Sequence, residues 1–382
     1  MCASCSGRRS SSRPPDVATA AEARRHLTTI AQAPRPAGGD AEAEARAYCA
    51  AVLEALGFAI TDVPIEYSAF PGRYATPVLG GVAAVSIAAA ALAAAAGAGA
   101  SALVVLAVSL LAVSGAGRWL ARHGVSSLRV LRARSANLVA RRGAARVWLV
   151  AHLDSKSQPV PIVARVVGLI SLGIAWLAAA GLAIAAMAGY AVESLGAPIA
   201  LASGIAALPV VLSVVGSRSH GARDNASGVA AVLCAVAEMP ADCPVGVILT
   251  SAEELGLAGA RALASSGPTP ATAINVDTVD DAGDISIMYG GGRPRELIEA
   301  FTAFRTAGER IVVRRLVPGI LTDGVALADG GWRVVTVSKA TMGTLARVHT
   351  AADTAAGMSG DGIARTATLL ARAAAALHRL GA

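Results

Sequence analysis

The chain has 382 residues, 54% of them hydrophobic but only 3% aromatic, and a formal charge of +7 at neutral pH. That length allows one large domain or two modest ones, and an apolar excess carried by alanine argues for membrane segments over a large soluble core. Nucleic-acid binding is disfavoured: the charge is almost all arginine, clustered beside apolar runs without aromatic interleaving.

In chain order, residues 1–15 read as a disordered tail of Ser, Arg and Pro. Its Cys2-x-x-Cys5 pair reads as neither metal nor redox site. With Cys49, Cys234 and Cys243 the count is odd, which gives no disulfide framework and argues against an oxidising compartment. The polar opening predicts no signal peptide. Asp16 to Leu56 carries a helical apolar pattern broken at Pro34-Arg-Pro-Ala-Gly-Gly39, and Phe58 to Tyr67 alternates like a strand.

Thr76 to Gly117 contains no charge and divides at Gly97-Ala-Gly-Ala-Ser101 into two stretches, each about long enough to span a bilayer. Val166 to Val192 and Leu195 to Gly216 form a second pair, with Glu193 in the connection. Two transmembrane hairpins are therefore expected, at 76–117 and 160–216, separating segments 16–75, 118–159 and 217–382 of the rest of the chain. Arg73, Arg118, Arg122, Arg129, Arg132 and Arg134 flank the first hairpin; Lys156, Arg165, Arg218 and Arg223 flank the second. Neither tight connection carries Lys or Arg, so the positive-inside rule turns both tips outward and everything else to the cytoplasm, with Tyr74 and Trp119 as interfacial aromatics. The expectation is a multi-pass plasma-membrane protein whose first partner is the lipid bilayer.

The remainder reads as α/β. Strands are expected at 136–141, 146–151, 245–250, 273–277, 285–289, 311–316 and 333–338, and helices at 227–238, 256–265, 294–306 and 359–380. Their alternation predicts a mixed, mostly parallel sheet flanked by helices.

Six residues stand where a strand or its following turn carries them to one sheet edge: His152, Asp224, Glu253, Glu254, Asp277 and His349. Two histidines and three carboxylates are enough for a two-zinc site with one bridging carboxylate, leaving one Glu as base. Taken singly, each motif has a bland reading, such as a helix cap at Asp224 or dipole compensation at Glu253-Glu254. Their joint order favours the metal site. His26, His123 and His378 match no motif, and His220 is the only other histidine near a ligand.

At these residues the chain resembles the co-catalytic zinc aminopeptidases of metallopeptidase family 28. The resemblance runs through His-Leu-Asp-Ser at 152–155, Asp-Asn-Ala-Ser-Gly at 224–228, Glu-Glu at 253–254, Asp277 after a strand, and His-Thr-x-x-Asp-Thr at 349–354. Pro36-Ala-Gly-Gly39, Leu56-Gly57-Phe58 and Thr322-Asp323-Gly324 also look like family segments. It implies one zinc on His152, Asp224 and Asp277, a second on Asp224, Glu254 and His349, and Asp224 between them. Glu253 would be the general base and Asp154 would orient the His152 imidazole.

The sequence departs from the pattern between His152 and Asp224, where the second hairpin replaces a short loop. That puts one rim of the site beside the bilayer and suggests membrane-proximal peptide substrates. A glutaminyl cyclase-like acyltransferase, another zinc amidohydrolase or carboxypeptidase, and a non-catalytic membrane scaffold remain alternatives. A transporter is disfavoured, because no ionisable residue lies within the spans.

Overall fold

A computed structural model describes residues 18–266, 271–304, 310–317 and 319–380. The tail at 1–15, with Cys2 and Cys5, lies outside the described residues, as does the end of the helix expected at 294–306.

Eight strands form one sheet: β1 (Ala59–Ser68), β2 (Arg132–Arg142), β3 (Val147–His152), β4 (Val245–Thr250), β5 (Thr272–Val279), β6 (Asp284–Tyr289), β7 (Ile311–Arg315) and β8 (Arg333–Ala340). They lie in the order β1-β2-β4-β3-β5-β8-β6-β7. The central pairs β4/β3, β3/β5 and β5/β8 are parallel, as is β6/β7; β1/β2, β2/β4 and β6/β8 are antiparallel. β3 and β4 are buried along their whole length, which is why they read as unbroken apolar runs: helices cover a parallel centre on both faces. One face packs on helices Ala20–Ile30, Ser227–Glu238 and Asp361–Arg379, the other on Ala258–Ser266 and Asp323–Asp329. The mixed α/β sheet is the expected one, and the expected strands fall within a few residues of the observed ends.

The apolar insertions differ from expectation in two ways. Helices Thr76–Ala95, Gly99–Trp119, Ile162–Met187 and Gly196–Val211 do not stand as separate hairpins; they pack into one bundle, with Thr76–Ala95 touching the other three. Three helical stretches, Pro71–Ala95, Gly99–Ser127 and Ile162–Met187, are long and apolar enough to cross a membrane. The fourth is not: at 16 residues it extends about 24 Å, short of a hydrocarbon core of about 30 Å. Residues 212–216, expected to complete that span, leave the helix, and Gly216 bridges back to Ser157.

The bundle is built inside out relative to a soluble core. Its interior is small, with Ala90, Ala91, Ala94, Ala179 and Ala183 buried, while Val85, Leu111, Leu177 and Leu201 are 65–71% exposed on its outside. Close approach is required in places: a Cβ on Gly99 would lie 2.5 Å from the Ala183 carbonyl oxygen, and one on Gly196 2.9 Å from that of Ala91.

Two flanking charges are not at the bundle's lipid edge. Arg223 is 2% exposed and pairs with Asp280 and Asp353. Lys156 pairs with Glu254. Both belong to the catalytic domain, so the arginine and lysine bias around the second insertion is weaker than the sequence suggests.

Candidate metal centre

Parallel strands β3, β4 and β5 open their carboxyl ends onto one edge, where α/β sheets form a crevice. His152 ends β3. Glu253 and Glu254 stand in the turn after β4, and Asp277 lies near the end of β5, where pairing to β8 is irregular between Val276 and Val279. Asp224 precedes helix Ser227–Glu238, and His349 follows the short helix Met342–Arg347, which the sequence reading missed. The structure brings all six predicted side chains together in two groups, His152–Glu253–Asp277 and Asp224–Glu254–His349, the ligand atoms of each within 4.8 Å of one another.

Asp224 stands between the histidines. Its Oδ1 lies 3.1 Å from His152 Nε2 and its Oδ2 2.9 Å from His349 Nε2. Glu254 Oε1 is 3.4 Å from His349 Nε2, and Glu253 Oε2 is 4.0 Å from His152 Nε2. The second group is the one the resemblance implies. In the first, Glu253 stands in the place expected for Asp224, yet Asp224 is the closer of the two to His152. One oxygen toward each imidazole is the geometry of a bridging carboxylate.

Burial and mutual repulsion set the electrostatics. Burial lifts Glu253 well above the usual carboxylate range; the pull of His152 opposes this, while Glu254, Asp277 and Asp323 add to it. Burial and the Asp224 charge push Asp277 up to about 7. At Asp224 the burial effect is overcome by hydrogen bonds from His152 and His349, which hold it well below the usual range. At Glu254 burial is outweighed by the Lys156 ammonium and by His349, which hold it at about 2.

These residues fit a metal pair. Four carboxylates share the buried space with two imidazoles and one ammonium, and Glu254 Oε1 is buried with no hydrogen-bond partner. An anionic oxygen left so is costly unless a cation meets it. Imidazole nitrogen with carboxylate oxygen is a zinc donor set.

The supporting residues were only partly legible. Asp154 was expected to orient the His152 imidazole. Its backbone carbonyl lies 3.0 Å from His152 Nδ1, its Oδ1 is 3.6 Å away, and its carboxylate accepts from the backbone N–H of Glu253 and Glu254. Asp353 accepts from the N–H groups of Arg223 and Asp224 and so anchors the turn that carries Asp224. Asn225 donates to the Val276 carbonyl and accepts from Thr278 N–H, tying that turn to the strand carrying Asp277. Both sit inside the quoted motifs, which was the available signal. The fully buried Arg35 donates to the carbonyls of Leu153, Ile30, His220 and Gly221, joining the His152 and Asp224 segments. Asp323 is buried beneath the cluster, hydrogen-bonded to Thr250. His220 Nδ1 instead lies 3.0 Å from the Ala31 carbonyl oxygen, and His26 pairs with Tyr48.

A family model of peptidase family M28 matches residues 136–374, well over half of the chain. Among solved structures, the fold is similar to an aminopeptidase from Aneurinibacillus sp. strain AM-1 at 16% identity, covering 94% of each chain with a TM-score of 0.55. It is similar to a zinc aminopeptidase from Bacillus subtilis at 13% identity, covering 96% of each with a TM-score of 0.56. It is also similar to the glutaminyl cyclase of Fimbriiglobus ruber at 13% identity, covering 96% of this chain and 99% of that one with a TM-score of 0.51. No curated protein sequence matches.

Proposed function

The chain belongs to peptidase family M28, and from that premise we propose that it is a membrane-anchored, zinc-dependent aminopeptidase holding two zinc ions. The observation that carries this reading is the position of Asp224, one oxygen toward His152 and the other toward His349. His152, Asp224 and Asp277 would hold one ion, and Asp224, Glu254 and His349 the other. Bound there, the ions would polarise a shared water and the scissile carbonyl.

The chain's own residues do the rest. Glu253 would be spared from ligation and, standing among the proposed ligands, would take the water's proton and pass it to the leaving amine. Asp154 fixes Glu253 and Glu254 by their backbones. The small-inside, large-outside bundle supports insertion in a bilayer, and the arginine bias supports a cytoplasmic catalytic domain in the plasma membrane. Gln158 joins bundle to site: its N–H donates to the His349 carbonyl and its side chain to the Ser213 carbonyl. That link supports a wall of the site lying beside the membrane and a preference for membrane-proximal peptides.

The test is amino-acid release from short peptides by the detergent-purified, zinc-loaded protein beside Glu253→Gln. Release that falls by about 10²–10⁴ in the variant, with zinc content kept, is expected for loss of a general base. No release from any peptide overturns the reading. The likeness to a glutaminyl cyclase supports a second one, for which the same preparation would release ammonia from N-terminal glutaminyl peptides.

A further inference from the structure

We propose that Arg165 is the receptor for a substrate carboxylate, so that this site takes short peptides carrying a carboxylate one or two residues beyond the bond cut. Resting on the peptidase reading only for the nature of the ligand, the inference comes from a partly buried guanidinium whose Nε has no hydrogen-bond partner and which forms no ion pair among the described residues.

Arg165 lies on the first turn of helix Ile162–Met187, its own N–H bonded to the Pro161 carbonyl. The segment leading to it runs along the metal centre. Lys156 is paired with Glu254, Gln158 N–H donates to the His349 carbonyl at 2.8 Å, and helix Met342–Arg347 packs against helix Ile162–Met187. Arg165 therefore stands on the Glu254 and His349 side of the site, and Glu254 is the carboxylate that acts on it electrostatically.

That carboxylate is not free for it. Glu254 Oε2 is 2.5 Å from Lys156 Nζ, and Oε1 faces His349. Arg165 Nε is buried with no hydrogen-bond partner, and no carboxylate of the described residues forms an ion pair with the guanidinium. A side chain simply flanking a membrane helix would extend its head to water or lipid headgroups. Here Nε is withdrawn from solvent while the residue as a whole stays partly exposed, which leaves its outer nitrogens open to a ligand. A planar guanidinium presents a fork of N–H donors that matches a carboxylate bidentately. An extended peptide advances roughly 3.3–3.6 Å per residue, so a carboxylate reaching a group beside the metal ligands lies close behind the scissile bond. It would be the C-terminus of a di- or tripeptide, or an acidic side chain next to the cleaved bond.

The experiment uses full-length, zinc-loaded protein in detergent and three peptides: Leu-Gly-Gly, its C-terminal amide, and amidated Leu-Glu-Gly. Binding is measured calorimetrically in a Glu253→Gln background, with Arg165 intact, Arg165→Gln or Arg165→Lys, and turnover is measured with Glu253 intact. The expected result is binding at least about tenfold tighter for a carboxylate-bearing peptide than for the plain amide, abolished by Arg165→Gln and partly kept by Arg165→Lys. Preference for Leu-Gly-Gly identifies the terminal carboxylate, and preference for amidated Leu-Glu-Gly identifies a side chain. Equal binding of all three overturns the proposal, as does a preference that survives Arg165→Gln. Should Arg165→Gln fail to fold, a carboxylate preference equally strong in Arg165→Lys overturns it too. Carboxylate-dependent binding without turnover of any peptide would leave this site standing and remove the peptidase reading instead.

Discussion

The carboxylate of Asp154 holds Glu253 by its backbone: Oδ1 accepts the Glu253 N–H at 3.0 Å, while Oδ2 takes that of Glu254 at 3.1 Å. One buried side chain thus fixes the turn presenting both the proposed base and a proposed ligand. Its own backbone carbonyl lies 3.0 Å from His152 Nδ1, so it sets the ring on the other side of the cluster as well.

Asp154→Asn tests that coupling. An amide can accept one of the two N–H groups but turns a donor on the other, which costs about 1–3 kcal/mol where water cannot intervene. Zinc affinity is expected to fall by about 10–100-fold and kcat with it, as for other groups that orient metal ligands. Zinc titration with a competing chelator reads the first effect and peptide turnover the second. Unchanged zinc affinity would restrict Asp154 to a folding role.

Metal removal should be felt as instability. Burial leaves Glu254 Oε1 with no hydrogen bond, only His349 Nε2 at 3.4 Å, and crowds Asp224, Glu253, Glu254 and Asp277 together. Zinc at about 100 times its dissociation constant should add about 2.7 kcal/mol to stability. Chelation should lower the detergent melting temperature, and re-addition of zinc should restore it. A melting temperature indifferent to both would count against a resident metal.

Legibility followed how local the physics was. Most of the proposed ligands were readable because they sit at a strand end or just before a helix, where periodicity and a short motif coincide: His152 closes an apolar run, and Asp224 opens Asp-Asn-Ala-Ser-Gly. Lys156 was not. It lies six residues before helix Ile162–Met187 and reads as a membrane flank, and only the folded sheet brings it to Glu254. Arg35 was invisible for a similar reason, because its four carbonyl partners come from three separate segments. The fourth apolar stretch was misjudged because composition carries no information on where the helix stops; Gly216 is taken by Ser157 instead.

Glu42 should give the fold a pH dependence away from the ligands. It is fully buried; Oε2 accepts from Gly38 N–H and Ser135 Oγ, and Oε1 has no partner. Burial, then the Asp154 charge, pushes it from 4.5 up to about 7. An acid with a raised folded-state value binds more protons folded than unfolded. Stability is therefore greatest below the unfolded value and is lost as pH rises from about 4.5 to about 7. The loss is on the order of 3 kcal/mol at most. Glu42→Gln cannot ionise, so its stability relative to the parent should rise between pH 5 and pH 8 in denaturant titrations. A difference that stays flat across that range would show that Glu42 is ionised in the fold throughout.

The bundle offers a paired test of its packing. At Gly196 a Cβ would come within 2.5 Å of Ala95 Cβ and 2.9 Å of the Ala91 carbonyl oxygen, whereas at Gly204 on the same helix it meets nothing within 4 Å. Backbone at one site cannot give way without separating two helices, and the interior there is already alanine. Gly196→Ala should therefore cost about 1–3 kcal/mol, as overpacking does, and lower the detergent melting temperature. Gly204→Ala should be neutral or slightly stabilising, since Ala is the better helix former. Both variants should still sediment with the membrane fraction, because the outward Val85, Leu111 and Leu177 are untouched. If the two substitutions cost the same, helix Gly196–Val211 does not dock on Thr76–Ala95 as described, and the link through Gln158 from bundle to His349 would lose its support.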